Sequence, residues 1–126
     1  MLLTQEGLGS ALRALAERAP LPVLVAAPGD RYPGSVESTA YFFVTEALTN
    51  AARHSRASVV RIDITRHGDE LTIRVSDDGV GGVDAAAPGG SGLVGLHDRV
   101  VAVGGRMTVS SPAGEGTTLM ARLPCV

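Results

Sequence analysis

Two runs in the middle of the chain leave little freedom in what it can fold into. Val60, Ile62 and Ile64 alternate with Arg61, Asp63 and Thr65, and after the turn residues HGDE, Leu71, Ile73 and Val75 alternate with Thr72, Arg74 and Ser76. Period-two alternation marks a strand with one buried face, and two such runs around a short turn predict a β-hairpin. That apolar face needs a cover, and the rest of the chain supplies helices. Leu8, Leu12, Leu15 and Ala19 recur at helical spacing over residues 4–19. Ala40, Val44, Ala47, Leu48 and Ala51 form the apolar arc of a second helix, expected from a Ser35 N-cap to about His54. A third is expected over 93–103, with Leu93, Leu96, Val100 and Val103 inward and Gly104 as its stop. Strands are expected at 21–27, 106–111 and 117–123. The order α-β-α-β-β-α-β-β predicts an α/β, two-layer sandwich: a mixed, largely antiparallel sheet with helices on one face.

At 126 residues the chain is expected to be one domain over 1–126, large enough to bury about two-thirds of its unfolded surface. One cysteine, Cys125, excludes an internal disulfide framework and a cysteine-based zinc cluster. Apolar stretches are too short to span a membrane, and no secretory leader is visible. A net charge of −2 with interspersed signs argues against a nucleic-acid partner, and 3% aromatic content argues against base stacking.

Four constellations carry possible chemistry. Glu46, Asn50 and Arg53, with His54 beside them, fall on the polar arc of the second helix. Such an arc is ordinarily a solvated face, but Asn offers Mg²⁺ a neutral oxygen and Arg offers phosphate a clamp. The run Asp77-Asp78-Gly79-Val80-Gly81 follows the hairpin. Parity with Leu71, Ile73 and Val75 aims Asp77 at the apolar face and Asp78 away from it. A carboxylate there needs a hydrogen-bond partner, such as an amino group on a planar ligand. Gly90-Ser91-Gly92-Leu93-Val94-Gly95 matches G-x-G-x-x-G literally. No buried strand precedes it, and the acidic residue 20 positions on, Glu115, lies in a turn, so the dinucleotide-fold reading fails. A glycine-rich loop opening into a helix survives, and free N–H groups there suit phosphate. Gly114-Glu115-Gly116-Thr117-Thr118 reads by itself as a structural turn.

In this order the four resemble the ATP-binding catalytic domain of sensor histidine kinases, part of the GHKL superfamily shared with gyrase, Hsp90 chaperones and mismatch-repair ATPases. EALTNAARHSRAS resembles the N box, DDGVG the first Gly box, GGSGLVGLHDRV the second and GEGTTLMARLP the closing strand. The wording is most similar to the NarL/DesK-type subfamily. The resemblance covers roughly residues 36–124 and implies a Bergerat-type ATP-binding fold. It implies Asn50 as the Mg²⁺ ligand, Glu46 as a residue orienting the metal shell, Arg53 facing phosphate, and His54 of the N box as a further nucleotide-binding residue. It also implies Asp77 as reader of the adenine amino group, with Gly79 and Gly81 in the adenine pocket and Thr117 close by. Gly90, Gly92 and Gly95 fall on the phosphate-side loop, with Leu93 also among the nucleotide-binding residues, and 82–91 on a mobile lid.

Leu96-His97-Asp98-Arg99 looks like a phospho-acceptor motif, but its place after the second Gly box makes His97 a helix-surface residue. The expected function is transfer of the ATP γ-phosphoryl to a His on an upstream dimerisation domain absent from this chain. A response regulator is the expected further partner. Such a domain is expected to be monomeric by itself and cytoplasmic, its parent being open to membrane anchoring. Two alternatives share the fold: an anti-sigma-factor-type regulator and a degenerate pseudokinase.

Overall fold

The hairpin forms as its alternation demands. In the computed structural model, which describes residues 7–52, 56–81 and 93–125, β2 (Val60–His67) pairs antiparallel with β3 (Glu70–Asp77). The register sets Ile62 opposite Val75 and Ile64 opposite Ile73. These apolar cross-strand pairs fix one face inward, because a one-residue slip would turn every side chain over.

Three more strands extend that inner face. β5 (Thr117–Pro124) joins β3 antiparallel, with Leu119, Ala121 and Leu123 opposite Val75, Ile73 and Leu71. β4 (Arg106–Ser110) adds Met107 and Val109 at one edge. β1 (Val23–Ala26) runs parallel to β2 at the other edge. The sheet order is β1-β2-β3-β5-β4. A parallel pair needs a crossover, and α2 (Gly34–Asn50) provides it. α2 packs across β3 and β5, α1 (Leu8–Arg18) beside β1, and α3 (Leu93–Ala102) beside β4. The expected element order and the one-sided, mixed sheet are both present.

The core lies between these layers. Phe43, Leu8, Leu12, Ile62, Ile73 and Leu96 are among its fully buried side chains. The arc read for the second helix is buried throughout. Midway along α2, Arg99 of α3 lays its guanidinium 3.9 Å from the centre of the Phe42 ring, an attraction that ties the two helices.

Some boundaries differ from expectation. β1 keeps only four of the seven residues expected, since Pro22 has no N–H to pair and its carbonyl takes the Val60 N–H at 3.0 Å. Ser35 is not the N-cap of α2. Pro33 holds that place, its carbonyl accepting from Val36 and Glu37 at 2.9 and 3.0 Å. Ser35 is already inside the first turn and exposed. The helix ends at Asn50, and Ala51 and Ala52 continue it in a wider, π-type turn. The expected end at His54 lies outside the described residues.

One buried carboxylate holds the start of α2. Glu37 is 3% exposed. It accepts from Arg31 Nε and Nη2 at 3.1 and 3.2 Å and from the Tyr32 N–H at 3.3 Å. This fork anchors the loop between β1 and α2. Glu37→Ala is expected to cost about 1–3 kcal/mol, whereas Ser35→Ala should stay within about 0.5 kcal/mol. Urea midpoints of the two variants check both figures.

Candidate functional site

β3 keeps its alternation one step beyond its last apolar residue. Asp77 is the next inward position after Leu71, Ile73 and Val75, with Val60 opposite on β2 and Thr117 opposite on β5. It opens on a shallow cavity that is continuous with solvent. The walls are apolar: Ala47 and Ala51 from α2, Val75 and Leu119 from the sheet, and Leu93 from α3. Three polar side chains join them, Asp77, Asn50 and Thr117. Apolar walls with a few converging polar groups are the usual build of a small-molecule site.

α2 makes the cavity by changing side-chain size along one stripe. Phe43 fills the core completely, while Ala47 and Ala51, one and two turns later, leave room. Asn50 is the last residue of α2, and its amide nitrogen is buried with no partner among the described residues. A buried amide without a partner is costly, and one on a cavity wall is placed to bond a ligand.

The two adjacent carboxylates divide their work. Asp77 Oδ1 accepts the Gly79 N–H at 2.8 Å, closing an Asx turn. Its other oxygen takes no hydrogen bond from any described residue and can accept from a ligand in the cavity. Asp78 points away and is exposed. It accepts from the Ser58 and Val59 N–H groups at 2.8 and 3.1 Å and from the Ser58 hydroxyl. The Ser58 hydroxyl, then these N–H groups, hold the Asp78 carboxyl below the usual carboxylate range. Asp78 thus staples the segment after α2 to the end of β3.

The fourth motif is more than a connection. A Cβ on Gly116 would lie 2.1 Å from the Asp77 carbonyl oxygen, and Gly116 has φ +78. A Cβ on Gly81 would meet the Pro112 carbonyl at 2.1 Å. The Gly114 N–H bonds the Val80 carbonyl at 2.6 Å. The two glycine motifs are therefore pressed together backbone to backbone. Thr117 is 8% exposed, and its hydroxyl shares a hydrogen bond with Ser111 at 2.6 Å.

Of the residues singled out in the sequence, the structure brings Asn50, Asp77, Leu93 and Thr117 to one cavity. Gly79 and Gly81 form the adjoining turn. Glu46 is half-buried one turn before Asn50 and is not part of the cavity wall. Gly95 lies on exposed α3 with open space around it. Arg53, His54, Gly90 and Gly92, and the expected lid 82–91, lie outside the described residues. His97 is exposed on α3, as expected of a surface residue. Sequence reasoning missed Ser111, the partner of Thr117. Its only signal is its place across the turn from Thr117.

The α/β domain thus joins a helix-borne Asn to a strand-borne Asp at one apolar cavity. The family described as histidine kinase-, DNA gyrase B- and HSP90-like ATPases matches residues 35–126. The chain belongs to this family. It is 33% identical over 97 residues to the signal transduction histidine-protein kinase/phosphatase DegS of Brevibacillus brevis, covering 76% of this chain and 25% of that protein. It is 29% identical over 96 residues to the oxygen sensor histidine kinase NreB of Staphylococcus carnosus, covering 75% and 28%. The chain thus spans about a quarter of the length of these curated relatives. Among solved structures, the blue-light activated histidine kinase of Erythrobacter litoralis superposes with a TM-score of 0.79 at 27% identity, covering 94% of this chain and 42% of that one. The Acinetobacter baumannii histidine kinase AdeS shares the fold at a TM-score of 0.65 and 17% identity, over 92% of this chain and 61% of that one.

Gly116→Ala is expected to destabilise the fold by more than about 2 kcal/mol. Gly114→Ala, with similar φ but open space around it, should cost less. Thermal melts of the pair isolate the contact with Asp77. The Asp78 staple favours the ionised carboxylate, so its contribution is present above the ordinary carboxylate value of 3.8 and is lost as pH falls below it. In urea titrations between about pH 3 and 6, Asp78→Asn should flatten that acid limb.

Proposed function

We propose that this chain is the ATP-binding catalytic domain of a sensor histidine kinase, holding Mg·ATP and presenting its γ-phosphoryl to a histidine on a separate dimerisation domain. The observation that carries this reading is the Asp77 carboxylate, aimed into an apolar cavity beside an Asn50 amide that has no partner among the described residues. A planar base with an exocyclic amino group satisfies both features of Asp77's position: the ring fills the apolar slot and the amino group donates to the free oxygen.

Asn50 then faces the phosphate end. Its amide nitrogen can donate to a phosphate oxygen, and its carbonyl oxygen is a hard, neutral ligand. Among the described residues no three His, Cys, Asp or Glu side chains converge on a metal site. A magnesium ion would then keep phosphate oxygens and water as most of its shell, with Asn50 as the protein's ligand and Glu46 a turn away orienting a bound water. When bound, the ion neutralises charge on the phosphates. Leu93 and Thr117 hold the base end, Gly79 and Gly81 bring backbone close to it, and Arg53, His54, Gly90, Gly92 and Gly95 serve the phosphate side. In the transfer the acceptor imidazole nitrogen bonds to the γ-phosphorus as its bond to the bridging oxygen breaks, and ADP leaves. Positioning and charge neutralisation are the domain's contribution.

The names of the relatives support kinase over anti-sigma-type regulator. An upstream histidine-bearing dimerisation domain and a response regulator are the proposed partners, the isolated domain is a monomer, and its compartment is the cytoplasm, where ATP is supplied. Among the described residues no helix is long and apolar enough to cross a membrane.

Calorimetric titration with a non-hydrolysable ATP analogue and Mg²⁺ tests the site. Binding to the wild type is expected, with Asp77→Asn weakening it at least roughly tenfold at unchanged melting temperature. Asn50→Asp should weaken metal-dependent ATP-analogue binding more than metal-free ADP binding. Unchanged affinity in Asp77→Asn overturns the base assignment. Absence of phosphohistidine on an added dimerisation fragment that binds the domain overturns the kinase reading.

A further inference from the structure

The helices cover one face of the sheet and leave the other open. Leu24, Arg61, Arg74, Arg106 and Thr108 are exposed there. This open face collects positive charge in a chain whose net charge is −2. It carries Arg61, Arg74, Arg106 and Arg122, with Asp63 and Glu70 as its carboxylates, and all 11 basic residues of the chain are arginine.

The arrangement is unfavourable for the sheet itself. Arg106 and Arg122 stand directly opposite on β4 and β5, and like charges so placed repel. Arg74 pairs with Met120 while Arg122 pairs with Thr72, so Arg74 is the diagonal neighbour of Arg122. Glu70 reaches Arg106 at 3.5 Å. Asp63 is in register with Arg74, yet Arg61, Arg74 and Arg122 take part in none of the ion pairs of the described residues. Among the described residues, three guanidinium groups on one sheet face are thus left without a carboxylate.

We propose that this open sheet face, centred on Arg74, Arg106 and Arg122, docks an acidic protein surface that presents clustered Asp and Glu carboxylates. The planar guanidinium fork pairs with a carboxylate through two parallel hydrogen bonds, and the Arg106–Glu70 contact shows one arginine of this face already turned toward a carboxylate. A partner bearing carboxylates fits better than a phosphate polyanion. Asp63 and Glu70 sit among the arginines, and the net-negative remainder of the chain repels a polyphosphate backbone or an anionic membrane at long range. Five strands span only about 20 Å, which suits a small, salt-sensitive, transient contact. Because Arg74 points outward where Asp77 points inward on the same strand, this face and the cavity can be occupied together.

Fluorescence anisotropy with a labelled polyglutamate peptide and the full chain is the test. Binding that weakens with salt is expected. The double variant Arg74→Gln/Arg122→Gln should bind roughly tenfold more weakly, with chemical-shift changes in the wild type confined to β3, β4 and β5. Nucleotide affinity should be the same in both proteins. Unchanged peptide affinity in the double variant, or shifts mapping elsewhere, overturns the proposal. So does tighter, equally arginine-dependent binding of duplex DNA or phosphatidylserine vesicles, which would give the face to another class of partner.

Discussion

The pairing of β3 with β5 at Asp77 and Thr117 is the constraint on which the cavity depends. It sets a carboxylate and a hydroxyl side by side at the inner end of two columns that are otherwise apolar. It also explains why the glycine at 116 belongs to the site although its side chain is only a hydrogen. The carbonyl of Asp77 comes so close that any larger residue would push the strands apart. The strand that carries Asp77 and the turn that carries the last motif are thus one piece of backbone packing.

α2 completes the arrangement by serving the core and the cavity with one stripe. Large residues at Phe43 and Val44 close the interior, and alanines at 47 and 51 open it. The helix is held at its start and at its middle. Glu37 and Arg31 fix its start, and Arg99 grips Phe42 midway. Asn50 comes at its end, where the backbone widens, a distortion that often accompanies functional positions. The amide is therefore placed by packing more than a full turn away.

Much of this was legible in the sequence because it rests on periodicity. The alternation of β2 and β3 predicted both the buried face and the inward turn of Asp77. The 3.6-residue spacing of α2 separated its buried arc from Asn50. What was not legible depends on contacts between distant segments. Nothing local marks Glu37 as a buried carboxylate, since its partners lie in a loop that reads only as polar. Ser35 resembled a cap because serine often is one, yet the preceding proline had already set the helix start. The clasp between Gly81 and Pro112 and the bond between Ser111 and Thr117 arise only when the β4–β5 turn folds against the end of β3.

The open face of the sheet has a consequence beyond what might sit on it. A surface whose positive groups are all guanidinium keeps its charge at every pH a cell meets, because arginine does not release its proton there. Nor can it be silenced by acetylation, which needs a lysine amine. On this face, the cationic residues are fixed features. Adjustment of any encounter there falls to ionic strength or to the charge the visitor brings.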